Sequence, residues 1–218
     1  MKNIILILFI SFLFFPDSYG QENTSHFTNQ NALKVSPFAL GKATFQVSYE
    51  RFFMNRRSSL FIAPSVIIKE TNDQSKTGWE LMGQYRLFLT HVRKDEQPTF
   101  LGVHNYGFYT GLYGLYFIST EDYMVNYWDN TDGIQKHEKS TRDIDATEGG
   151  VLLGIQVDIT PRILIDFYVG GGIRNTDVMD SFLDDNPPTD YYYADYGVFD
   201  PEYKGVKPKI GLLLGITF

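Results

Sequence analysis

Apolar and polar residues alternate with a period of two along most of this chain. The clearest run is 206–218. Val206, Pro208, Ile210, Leu212, Leu214, Ile216 and Phe218 occupy its even positions, and Lys207, Lys209, Gly211, Leu213, Gly215 and Thr217 its odd ones. Successive side chains of a strand point to opposite faces, so this pattern predicts a strand with one apolar and one mostly polar or small face. The same alternation sets Val151, Leu153, Ile155, Val157 and Ile159 against Leu152, Gly154, Gln156 and Asp158. It sets Ile163, Ile165, Phe167 and Val169 against Leu164, Asp166, Tyr168 and Gly170, and Phe45, Val47 and Tyr49 against Gln46, Ser48 and Glu50. In 79–89, Trp79, Leu81, Tyr85, Leu87 and Leu89 oppose Glu80, Met82, Gln84, Arg86 and Phe88; in 60–68, Leu60, Ile62, Pro64, Val66 and Ile68 oppose Phe61, Ala63, Ser65 and Ile67. Two weaker segments are 32–40, interrupted by Pro37, and 102–118, where Gly107, Gly111 and Gly114 are spaced among aromatics.

These segments make eight strands, an even number, as closed bacterial membrane barrels have. The connections point the same way. Short turns at 54–58, 90–99 and 160–162 alternate with polar loops at 70–76, 119–147 and 175–205; the short connection at Gly41-Lys42 is the exception. Outer-membrane barrels have tight periplasmic turns and long external loops. Proline removes a ladder donor, so the register at outward-facing Pro64 and Pro208 is open.

The N-terminus differs from the rest. Met1-Lys2-Asn3 is short and positive, Ile4–Phe15 is apolar, and Pro16–Gly20 ends in a small residue, the pattern of a cleaved secretory signal. Its apolar run spans about 18 Å as a helix, short of the ~30 Å hydrocarbon layer. The expected organisation is a signal peptide over 1–20, a short polar stretch over 21–30 and a barrel over 31–218. Cysteine is absent, which excludes disulfides, thiolate zinc sites, cysteine nucleophiles and a lipid-modified N-terminal cysteine. The net charge of −7 offers nothing to attract nucleic acid. Aromatic content is 16%, and no apolar run outside the leader is long enough for a membrane helix.

The last strand, with Ile210, Leu212, Leu214 and Ile216 at alternate positions before a terminal Phe218, resembles the C-terminal assembly signal of outer-membrane barrels. With Asn31-Ala32-Leu33-Lys34 and the Tyr49-Glu50-Arg51 step, the chain over roughly 31–218 resembles a family of small bacterial outer-membrane barrels of unknown function, of the outer-membrane-protein-A-like type. The resemblance implies eight strands, outer-membrane placement among its lipids, and recognition of the C-terminal row by the barrel-assembly machinery. It carries over no catalytic residue.

Three groups of residues are candidates for chemistry. The inward face holds Glu50, Glu80, Asp158 and Asp166 with Arg86, Arg174, Lys207 and Lys209, a balanced set. Buried charge is costly unless paired, so this set reads as a lumen charge network closing the bore, with Arg86 the single base among the acids of the periplasmic half. The loop 175–205 carries Asp177, Asp180, Asp184, Asp185, Asp190, Asp195, Asp200 and Glu202 among tyrosines; it lacks regular calcium-loop spacing and reads as a solvated surface that could meet a protein or glycan. The histidines His26, His91, His104 and His137 have no motif around them. Phe52, Phe53, Phe88, Phe100, Phe218, Trp79, Tyr116 and Phe117 fall near strand ends as candidate interfacial girdles. The expected protein is a non-enzymatic all-β, eight-stranded antiparallel up-and-down transmembrane barrel without cofactors. Its lumen is filled, and its external loops are available to a partner. The alternatives are a narrow solute pore and a lipid-modifying or proteolytic barrel enzyme.

Overall fold

The alternating segments form strands, and the strands close on themselves. The computed structural model describes residues 29–71, 74–93, 105–129, 134–182 and 197–218. The strands are β1 (Asn31–Val35), β2 (Thr44–Phe53), β3 (Ser58–Thr71), β4 (Gln74–Arg93), β5 (Asn105–Asp129), β6 (Ile134–Asp158), β7 (Ile163–Phe182) and β8 (Gly205–Thr217). Each pairs antiparallel with its neighbour in sequence, and β8 pairs with β1, giving a closed barrel. The closure is completed beyond β8, where Phe218 and Asn31 exchange backbone hydrogen bonds of 2.9 and 3.1 Å. The proposed signal peptide, 1–20, lies outside the described residues, as does most of the 21–30 stretch. Among the described residues no helix is long and apolar enough to cross a membrane.

The period of two is realised as two surfaces. Leu33, Phe45, Val66, Trp79, Leu112, Leu153, Val169, Ile173, Ile210 and Leu214 point outward and stay exposed, forming an apolar belt that reaches all eight strands. On β7 the belt runs over eleven positions from Ile163 to Ile173 before Asn175 and Asp177 take over. Trp79 and Tyr116 mark its upper edge, edge to face with ring centroids 5.4 Å apart. The inward surface buries Phe61, Met82, Tyr109, Tyr113, Leu115, Phe117, Leu152, Tyr168 and Leu213. Glycines on neighbouring strands make room for its rings: a Cβ on Gly154 would collide with the Tyr109 ring, and one on Gly211 with Tyr168. Those collisions give the glycine–aromatic spacing a steric cause.

Several connections are shorter than the sequence suggests, because strands continue past the belt with polar residues on both faces. The expected loop at 70–76 shrinks to the two residues between β3 and β4. The expected loop 119–147 is mostly a paired hairpin, with β5 reaching Asp129 and β6 starting at Ile134. β7 likewise runs to Phe182, taking the first part of the 175–205 loop into the sheet. At the opposite end four-residue turns occupy 54–57 and 159–162. The expected turn at 90–99 is strand up to Arg93, and 94–104 lies outside the described residues. The end carrying these tight turns, Asn29 and Phe218 is the turn end; the other is the loop end.

The segment 32–40 is not one strand. Ser36 caps a short helix, α1 (Pro37–Leu40), its hydroxyl accepting from the Ala39 N–H at 3.4 Å, with Pro37 in the first turn. A Ser-Pro step ends β1 and starts the helix. β1 therefore meets β8 over Leu214–Thr217, and among the described residues no strand pairs with the β1 side of β8 from Gly205 to Leu213. Pro208 sits on that overhang, paired with Gly171 of β7, where its missing N–H breaks no ladder. Pro64 leaves a local gap in β2–β3 pairing between Gln46↔Ser65 and Tyr49↔Ile62 without shifting the register.

Candidate functional site

The inward charges are arranged in three layers. The middle layer is a tetrad of two cations and two carboxylates, all with fully buried side chains. Lys34 on β1 ion-pairs with Glu50 on β2 and, at 2.6 Å, with Asp166 on β7. Arg86 on β4 meets the same two carboxylates, Asp166 at 2.6 Å and Glu50 at 3.2 Å. Neutral groups complete the shell. Tyr109 donates its hydroxyl to Asp166 at 2.6 Å, Lys34 donates to Gln156 at 3.2 Å, Arg86 Nε donates to Gln84 at 2.8 Å, and Ser59 donates to Glu50. The Arg86 guanidinium also lies over the Phe61 and Tyr109 rings, 4.3 and 4.6 Å from their centroids. Opposite charges in equal number, each further hydrogen-bonded, are the arrangement in which buried ions are tolerated.

The sequence assigned Arg86 alone to the acids of this half, and the structure corrects that. Lys34 is the second base of the tetrad, and Arg56 serves Asp158. Arg56 belongs to the β2–β3 turn, where Met54, Asn55 and Arg56 all adopt left-handed backbone, with φ of 49°, 54° and 64°. That turn sends the guanidinium back under the barrel. Its Nη1 is 2.7 Å from Asp158, it stacks 4.6 Å from the Phe52 centroid, and it donates to the Asn29 carbonyl at 3.1 Å. Three left-handed non-glycine residues cost on the order of 1–2 kcal/mol each, and the buried pair with Asp158 is what they position.

Nearer the loop end, Glu148 accepts from Tyr113 at 2.7 Å and pairs with Arg174 at 3.3 Å and, more loosely, with Lys209 at 3.9 Å. Lys207 donates to the Asp200 carbonyl at 2.7 Å. Glu80 lines the same space, with no ion pair among the described residues. The eight expected lumen residues thus all point inward, but they divide among layers: Glu50, Arg86 and Asp166 in the tetrad, Asp158 below it, and Arg174, Lys207, Lys209 and Glu80 above. Glu148 lies just beyond a stretch that reads as loop, and the sequence signal for it is its even position, in phase with inward-facing Leu152.

Above the tetrad the lumen widens into a cavity of about 540 Å³ whose wall includes Glu80, Phe117, Glu148, Arg174, Lys207 and Lys209. Beyond the belt, ion pairs join strands: Lys76–Glu121 at 3.1 Å, Arg142–Asp180 at 2.6 Å and Lys139–Asp122 at 3.0 Å. Asp122 is held below the ordinary carboxylate range first by the Thr141 hydroxyl and then by Lys139. Of the acidic 175–205 group, Asp180 is thus paired within the sheet, Glu202 lies 3.8 Å from Arg142, and Asp200 accepts from the Gly197 N–H; Asp184, Asp185, Asp190 and Asp195 lie outside the described residues. Among the described residues, no three His, Asp or Glu side chains are placed to hold a metal ion.

Phe52 and Phe117, expected as girdle aromatics, instead face the lumen, and so does Phe88, which its parity also placed inward. Phe52 packs under Arg56 and 6.1 Å from Phe88, Phe88 lies 5.3 Å from Tyr109, and Phe117 sits beneath Arg174 at 4.9 Å. Trp79, Tyr116 and Phe218 are on the outer surface, Phe53 takes the Arg51 guanidinium at 5.8 Å, and Phe100 lies outside the described residues. His26 and His104 also lie outside them, as do the side chains of His91 and His137. In comparisons with known proteins, no family model, no curated protein and no solved structure matches this chain.

Proposed function

We propose that the protein is a non-enzymatic, non-conducting outer-membrane barrel whose loop end faces outward as a binding surface. The observation that carries this reading is the tetrad of Lys34, Glu50, Arg86 and Asp166, which fills the bore at the level of the exposed apolar belt. An eight-stranded barrel is about wide enough for side chains to fill, and here long side chains meet across it. Contiguous exposed apolar surface on this scale calls for a nonpolar environment. From Ile163 to Ile173 the belt is about 26 Å tall at ~3.4 Å per residue and a tilt of ~40°, close to the ~25 Å band of outer-membrane barrels. The Trp79–Tyr116 pair at its upper edge suits an interface, and the N-terminal leader supplies export.

The outward row Ile210, Leu212, Leu214, Ile216 and Phe218 is then the segment read by the barrel-assembly machinery, and the same β8 closes the ring. The β5–β6 hairpin, extending beyond the belt, is the natural contact for an extracellular protein or glycan. The test combines cell fractionation with planar-bilayer recording of purified protein. Recovery in the outer membrane and no stable conductance are expected. A soluble periplasmic protein would refute the membrane reading, and a steady open channel would refute the sealed lumen.

A further inference from the structure

The cavity above the tetrad opens sideways as well as upward. Its wall includes Phe38 of α1 and Pro208 and Ile210 of β8, all of which also face the outside of the barrel. This is where β8 lacks a strand on its β1 side and only α1 stands beside it. Inside the opening, Arg174 and Lys209 pair with one carboxylate, Glu148, and Lys207 lines the same wall. Among the described residues Arg174 keeps two buried nitrogens, Nε and Nη2, without an acceptor, and Lys207 donates to a backbone carbonyl. Of the other described acids in the wall, Glu121 and Glu202 lie against Lys76 and Arg142, Asp200 accepts from the Gly197 N–H, and Glu80 stands on β4, across the ring from β8. Lys42 and Lys69 add positive charge at the rim.

We infer that this cavity binds the phosphate of an anionic lipid, with its acyl chains lying on the barrel's outer face at the seam between α1 and β8. Guanidinium and ammonium groups short of acceptors are the complement of a phosphate. The apolar rim of Phe38 and Ile210, continuous with the belt, is the complement of the chains. The inference rests on the outer-membrane reading above.

Full-length mature protein in a neutral detergent is titrated calorimetrically with dioctanoyl phosphatidic acid, with dioctanoylglycerol and with inorganic phosphate. Saturable binding of the phosphatidic acid is expected, with no binding of the diacylglycerol and at least tenfold weaker binding of inorganic phosphate. Lys207→Met with Lys209→Met should weaken the phosphatidic acid at least tenfold while heat-modifiable gel migration reports an intact barrel. Ile210→Asp should weaken the lipid but leave inorganic phosphate unchanged. Equal affinity for phosphatidic acid and inorganic phosphate, both lost in the lysine double variant, would mean a free-anion site and overturn the lipid assignment. No saturable binding of either, or binding indifferent to both sets of substitutions, overturns the site. Fractionation of the native protein as soluble would instead overturn the membrane reading, independently of the phosphate titration.

Discussion

Removing one charge from the tetrad should cost more than removing an opposite pair. In Arg86→Met, Glu50 and Asp166 are left to share Lys34, and the tetrad carries a net negative charge. In Glu50→Gln, Arg86 and Lys34 are left with Asp166, and the imbalance is positive. Breaking a fully buried pair from one side costs about 3–5 kcal/mol, most of it the desolvation of the charge left behind. In the double variant the balance returns, since Lys34 and Asp166 remain in contact at 2.6 Å and Tyr109 still donates to Asp166. Replacing both members of a buried pair by neutral groups of similar size is often close to neutral. The double variant should therefore lie within about 2 kcal/mol of wild type, although the two single costs add to roughly 6–10 kcal/mol. The assay is urea unfolding in lipid vesicles, followed by tryptophan fluorescence and by gel mobility of the folded form. Costs that add to within about 0.5 kcal/mol would refute the reasoning, because independent sites behave that way and a shared charge cluster does not.

Two further outcomes test the packing and the outer face. Gly211→Ala should destabilise the barrel by about 1–3 kcal/mol because its methyl meets the buried Tyr168 ring, whereas Gly83→Ala, with nothing near its Cβ, should be almost neutral in the same unfolding assay. Leu153→Arg, on the outer face within the belt, should cost about 2–4 kcal/mol in a bilayer, and Thr147→Arg, toward the loop end of the same strand, about 0–1; equal costs would place the belt away from lipid.

The face of each inward or outward residue was legible in the sequence because the period of two is local. Ile155 and Gln156, or Leu213 and Leu214, could be assigned from their neighbours alone. The extensions of β5 and β6 were not legible for the same reason. Thr120 and Asp122 on one face and Ser119 and Glu121 on the other show no apolar alternation, since neither face belongs to the belt. The rim position of Phe52 and Phe117 suggests an interface although they pack inside, whereas Phe88, in phase with Arg86, reads inward by parity. Arg56 depends on a left-handed turn that no glycine announces. Lys34 depends on pairing across the ring, since it meets Asp166 from 132 residues away.

Parity puts a side chain in the lumen, but only register gives it a height. Ser59, which donates to Glu50, stands opposite Arg86, and Gln156, which accepts from Lys34, stands opposite Asp166, so register puts the partners of each charge within its reach. The converse also holds. A strand that slips by two residues keeps its apolar face on the belt and its polar face inside, so the hydrophobic pattern opposes such a slip only weakly. The same slip would part Arg86 from Asp166 or Lys34 from Glu50 and leave buried charges unpaired, at a cost of several kcal/mol. The charges proposed to close the bore would therefore also select among registers that the outer surface would accept. That double role would account for a fully buried ionic cluster in a lumen that leucines could have filled.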